Sequence, residues 1–322
     1  MNRKIISILS IFVIISVVVL PSFYCQNLKS QNSTLLNSKI STISDDVPIW
    51  NVGDKWTYKI KNLNLDWEEE GEIVHVHASV DKIPLEVIDD TEESYTVDFK
   101  TAMAGDWNID LNLGGKIPPI RLSGRLLRTS LAGEIVVDKD TLGIKQVDAQ
   151  IKGIMIIYAI PIPFKINTNL EFDKPVTLLE FPLEIGNYCA HSSTNMAING
   201  ELTSFWLKVL NFVNKIALLF GKEFIPSNLS SLLPDIDLKN ALKIITGNET
   251  FEVGGLNNIA VVNKEDITVP AGTFNCYRIS LMDPTGIPAG VLDMYYSPQV
   301  GNIVNMSVIG YFDMELIDTN YI

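Results

Sequence analysis

Period-two alternation of apolar and polar residues, repeated in segment after segment, is the feature that most constrains this chain. Successive side chains of a strand point to opposite faces, so alternation marks a strand with one face buried. It begins at Trp56-Thr-Tyr-Lys-Ile60, fed by the Gly53-Asp54 turn. In 72–80, Val74, Val76, Ala78 and Val80 hold one parity and His75, His77 and Ser79 the other. In 94–100, Tyr95, Val97 and Phe99 alternate with polar neighbours. Further strands are expected at 120–129, 133–137, 142–147, 151–160, 164–172, 250–253 and 259–262, with a pair flanking Pro270-Ala-Gly272 and a third segment after the Ser297-Pro-Gln-Val-Gly301 corner. Turn residues such as Gly114-Gly115, Asp138-Lys-Asp140 and Pro161-Ile-Pro163 separate them. Short strands spaced by turns, without strand–helix–strand alternation, predict a mainly β fold. The expected architecture is a large curved antiparallel sheet or open half-barrel.

One region breaks the rhythm, and it predicts a two-helix insertion over about 201–247. In 201–221, Ser204, Lys208, Asn211 and Lys215 form a polar stripe at helical spacing, and nearly every other residue is apolar. An apolar surface that wide must be buried, or must cover an apolar ligand. Phe205, Trp206, Leu210, Phe212, Val213, Ile216 and Phe220 are therefore the candidate lining of a ligand cavity. A second helix over 237–246 has an Asp at its start and Gly247 just past its end.

Arg3 and Lys4 precede an apolar run over 5–20, the form of an export signal and slightly short of the ~20 residues that span a bilayer. Residues 1–25 are read as a signal peptide or a retained anchor, and 26–47, rich in Ser, Asn and Thr, as a flexible linker. A secreted or cell-surface location follows. Bulky Tyr24 before Cys25 fits a lipoprotein site badly. Residues 48–322 form one β-rich domain or two related halves, 48–180 and 181–322. The halves are suggested by Val52-Gly53-Asp54, Ile185-Gly186-Asn187 and Val300-Gly301-Asn302, each an apolar–Gly–Asx step where glycine suits positive φ.

A net charge of −13, with 25 Lys and Arg, excludes nucleic acid as the expected partner, because phosphate needs a basic surface. The same deficit leaves only the N-terminal segment to meet a membrane. Outside the cytoplasm, Cys189 and Cys276 either pair as one disulfide or remain separate buried thiols. Sequons at Asn32, Asn228, Asn248 and Asn305 are compatible with glycosylation of an exported chain.

Catalytic signatures are sparse. His75 and His77 share a strand parity and, with His191, give the sole three-histidine metal candidate. The competing reading is an exposed polar strand face. A nucleophile elbow and a phosphate-binding glycine loop are both missing, so no catalytic residue and no cofactor is expected.

Trp50-Asn-Val-Gly-Asp-Lys-Trp-Thr-Tyr58, Glu180-Phe-Pro-Leu-Glu-Ile-Gly186, Thr268-Val-Pro-Ala-Gly-Thr-Phe274 and Tyr295-Tyr-Ser-Pro-Gln-Val-Gly301 occur in that order. The set resembles exported, often archaeal, β-proteins related to the TapB-like family, remotely similar to lipoprotein-carrier half-barrels. The resemblance implies a curved antiparallel sheet and carries over no catalytic residue. The leading expectation is a non-enzymatic exported protein holding a hydrophobic or lipid-like ligand beneath the helical insertion. A surface interaction module without ligand is the alternative, and a metal hydrolase using His75, His77 and His191 the third.

Overall fold

The computed structural model describes residues 47–69, 72–111, 120–157, 160–177, 179–189, 194–203, 249–253, 259–282 and 286–321. They form one open antiparallel sheet of fourteen strands. In chain order these are β1 Lys55–Glu69, β2 Glu72–Asp90, β3 Ser94–Leu111, β4 Ile120–Asp138, β5 Ile144–Ile157, β6 Ile160–Val176 and β7 Tyr188–Cys189. They continue with β8 Thr194–Thr203, β9 Glu249–Val253, β10 Ile259–Val269, β11 Gly272–Met282, β12 Pro288–Ser297, β13 Asn302–Val308 and β14 Phe312–Thr319. The order across the sheet is β7-β10-β11-β12-β13-β14-β1-β2-β3-β4-β5-β6-β8-β9.

That order contains the same six-strand meander twice. Residues 48–180 supply β1 to β6, and 181–322 supply β7 and β10 to β14, with β14 paired to β1. The strands entering the two meanders also share a hydrogen-bonding pattern. Gly53 N–H donates to Val87 O at 2.8 Å and Val87 N–H to Asp54 O at 2.9 Å. Gly186 N–H donates to Val261 O at 2.8 Å and Val261 N–H to Asn187 O at 3.0 Å. Gly53 and Gly186 have φ of 96° and 91°, values that other residues rarely adopt, which explains the repeated Gly-Asx step.

Two differences distinguish the halves. Strands β1 to β6 run 14 to 19 residues, whereas β10 to β14 run 7 to 11. The second half also carries β8, residues 204–248 and β9 between its first two strands.

Covalent continuity requires the sheet to curl. Val253 of β9 and Ile259 of β10 are six residues apart, a reach of at most about 22 Å. In a flat sheet the twelve strand spacings between them would measure about 58 Å. A row of register irregularities crosses β1 to β5, at Ile60/Leu63, Ser79/Leu85, Met103/Gly105 and Leu127/Ser130. Bulges of this kind bend a strand and increase its twist. Asn62 and Arg128, in that row, have φ of 54° and 49°. Close by, a methyl group at Gly133 would collide with the Asp148 carbonyl oxygen and fall 2.8 Å from the ring of Phe99, its cross-strand partner, so only glycine fits there.

The core occupies one face, and the N-terminal and C-terminal motifs meet in it. Trp50 and Trp56 lie with ring centroids 4.9 Å apart, and Trp50 contacts Tyr95 at 5.4 Å. Their indole N–H groups donate to Gly301 O and Val300 O at 2.9 and 2.8 Å. Tyr58 Oη donates to Ile303 O at 2.8 Å, and its burial pushes the phenol above its ordinary range. Phe181 packs edge-on against Tyr296 at 5.5 Å. The motifs far apart in sequence therefore fasten the two meanders to each other.

Most predicted strands are present, with several corrections: 142–147 and 151–160 are one strand, β5, and residue 160 begins β6. The segments 120–129 and 133–137 are one strand, β4, bent by a bulge instead of broken by a turn. Pro161 and Pro163, read as a turn, lie inside β6. They are tolerated because β8 stops at Thr203 opposite Lys165, leaving the start of β6 as an edge among the described residues. Residues 201–203, assigned to the helical insertion, are the end of β8, held by pairing with β6. The rest of that insertion lies outside the described residues, as do the signal segment, residues 26–46 of the linker and Gly114-Gly115.

Candidate functional site

Two surfaces stand out, one on each face of the longer half-sheet. The first lies above the bulge row, where β1 outruns β14, whose ladder ends at Lys61↔Asp313. The register there aligns Leu63↔Ala78↔Gly105↔Leu126↔Met155↔Ile162 across six strands. The next row is Leu65↔Val76↔Trp107↔Gly124, and the next Trp67↔Val74↔Ile109↔Leu122. Leu63 and Ala78 are buried in the core. The intervening rows are polar, as in Asn64↔His77↔Asp106↔Arg125. The register of the extension therefore aligns apolar positions past the point where the β1–β14 ladder stops. Thr203, from which residues 204–248 depart, lies opposite Lys165 at this end of β6.

The second surface is a groove on the outer face of β4, β5, β6 and β8, with a volume of about 610 Å3. Backbone of Gly133, Ala149 and Thr168 lies between two outward rows, Ala132↔Gln150↔Asn167 and Glu134↔Asp148↔Asn169↔Asn199. Its polar groups are interlocked. Gln150 Nε2 donates to Asn167 Oδ1 at 2.7 Å, and Asn169 Nδ2 donates to Asp148 Oδ1 at 2.9 Å. Gln146 Nε2 donates to the other Asp148 oxygen at 2.7 Å. Thr168 is 4% exposed, and its Oγ1 is buried without a hydrogen-bond partner. The row also continues Glu86↔Asp98↔Glu134↔Asp148, four carboxylates on adjacent strands, with Lys55 Nζ 3.1 Å from Glu86 at one end.

The residues singled out by sequence fall as follows. His77 is exposed, with Nδ1 3.8 Å from the Asp106 carboxylate. The His75 side chain and His191 lie outside the described residues, and among the described residues no cluster of His, Cys, Asp or Glu suits a metal. The cavity candidates Phe205, Trp206, Leu210, Phe212, Val213, Ile216 and Phe220 also lie outside them.

The disulfide alternative is corrected. Cys189 pairs with Ile259 near the start of β10, whereas Cys276 stands opposite Glu265, six residues further along. That offset is about 20 Å along the strand, and a disulfide needs Cα atoms within about 7 Å. Cys276 is a free, buried thiol, and burial pushes it up to about 12. Asn305 sits half-buried within β13, between Tyr295 and Glu315, a poor setting for a glycan, and the other three sequons lie outside the described residues.

Sequence reasoning missed the outer groove. Its amides and carboxylates come from four strands, and each strand alone reads as an ordinary solvated face. Comparison of the chain with protein-family models, curated proteins and solved structures finds no match.

Proposed function

We propose that this is an exported, non-enzymatic β-protein that holds a hydrophobic, lipid-like ligand against the apolar face of the extended β1–β6 strands. The observation that carries the reading is the register of that extension, which lines up apolar positions in three successive rows beyond the reach of the short strands. An apolar face of that width needs cover from water. The departure of the apolar segment 204–248 from the same end of the sheet supports a ligand enclosed between segment and sheet. The interior below the bulge row is filled by Trp56, Tyr58, Phe99, Leu131, Leu170 and Tyr296, so the ligand belongs above it.

The test is native mass spectrometry and solvent extraction of the exported protein. Co-purifying lipid, or saturable uptake of a hydrophobic dye that Val76→Asp abolishes while the β-sheet circular dichroism persists, is the expected result. A protein that carries no lipid and takes up no dye would leave the surface-module reading in its place.

A further inference from the structure

We infer that the outer groove of β4, β5, β6 and β8 binds a neutral saccharide, independently of any ligand on the apolar face. The volume of about 610 Å3 falls within the range of small-ligand sites, roughly 300–1,000 Å3. What distinguishes it from a solvated strand face is the shape and the fixing of its polar groups. Ala132, Gly133 and Ala149 keep part of the lining small, so the longer side chains stand as walls around a depression.

The lining groups select the ligand class. Gln150, Asn167, Asn169 and Asn199 each offer a carbonyl oxygen and an NH2 group, while Glu134 and Asp148 offer acceptors only. A hydroxyl both donates and accepts, so adjacent hydroxyls of a sugar ring satisfy such a mixed row where an ion or an apolar molecule does not. The lining contains two carboxylates and no cation, which disfavours phosphate, sulfate and carboxylate ligands. Asp148 is held at both oxygens by Gln146 and Asn169, and Gln150 is tied to Asn167, so the acceptors are positioned before a ligand arrives.

The experiment titrates the exported protein with maltose, cellobiose and di-N-acetylchitobiose, each followed by amide chemical shifts. Glucose 6-phosphate and calcium chloride serve as comparison ligands. Saturable shifts at millimolar concentrations of at least one neutral sugar are expected, centred on β4, β5, β6 and β8. Gln150→Ala and Asn199→Ala should each weaken binding about tenfold, the loss of one or two hydrogen bonds. The Thr268→Ala variant, on the β10–β11 hairpin, should leave it unchanged. The sugar phosphate should bind more weakly than the neutral sugars. The inference is overturned by any of three results: no neutral sugar gives saturable shifts; the shifts survive both groove variants; or calcium alone reproduces them. Thermal unfolding of each variant distinguishes lost binding from lost fold. Dye uptake on the apolar face should be unaffected by either groove substitution.

Discussion

At the level of single residues, the tryptophans of the opening motif act through their N–H groups as much as through their rings. Trp56 is fully buried and donates to Val300 O. Trp56→Phe retains much of the apolar contact but leaves that buried carbonyl unpaired, which should cost about 1–3 kcal/mol. The urea unfolding midpoint measures it, and Trp50→Phe should behave alike through Gly301. Cys276 makes a separate prediction. Burial raises its pKa from 9.0 to about 12, so the folded state retains a proton that the unfolded chain releases. Its contribution to stability is full below pH 9 and is lost as pH rises through about 12. Cys276→Ala should flatten stability across that alkaline window. A thiol reagent at neutral pH should label Cys276 only after denaturation. The burial of Trp56 follows from the pattern of the opening strand, but the acceptors of both tryptophans, some 250 residues away, are set by tertiary contact.

At the level of elements, turns and cross-strand rows decide local stability. Between β4 and β5, Asp138 Oδ1 accepts hydrogen bonds from Thr141 N and Oγ1 at 3.0 and 2.8 Å, and Lys145 Nζ lies 2.8 Å from Oδ2. Burial pushes this carboxyl up, but its hydrogen bonds to Lys145 and Thr141 hold it below its ordinary value. Its stabilisation is therefore present above the unfolded-state pKa and is lost as pH falls through the lower folded-state value. Asp138→Ala should lower stability at neutral pH by about 1–2 kcal/mol, and the gap to wild type should close in acid. The carboxylate row gives the opposite sign. Asp98 stands between Glu86 and Glu134, and like charges directly opposite one another repel. Asp98→Asn should stabilise the fold by about 0.5 kcal/mol at low salt, with the gain shrinking as salt screens the row. The turn was legible, because Asp-Lys-Asp is turn chemistry. The carboxylate row was hidden, because its members lie on four strands and their alignment depends on register.

At the level of the whole molecule, the two meanders join through their outermost strands in sequence, so the middle of the sheet is the pairing of β1 with β14. The ends of the domain are correspondingly close, with Asn320 N–H donating to Lys55 O at 3.2 Å. A circular permutant that links residue 321 to residue 48, with new ends between the exposed Glu92 and Glu93, should therefore fold cooperatively. Deleting 312–321 removes β14 and splits the sheet at its centre. Loss of the cooperative transition and binding of a hydrophobic dye should follow, monitored by calorimetry and fluorescence.

The sequence by itself determined the class of fold, most strand positions, the Gly-Asx entries to both halves and the burial of Trp56, Tyr58, Val97 and Phe99. Those properties are local: parity assigns a side chain to a face, and a turn residue assigns a φ. Tertiary structure alone decided which strands are neighbours, that Cys189 and Cys276 stand too far apart to join, and that residues 201–203 pair with β6 instead of opening a helix. It alone also gathered Gln150, Asn167, Asn169 and Asn199 into one groove. Strand register is a cooperative choice among many pairings of similar local propensity, and it is settled only when the buried faces of the entire sheet pack at once.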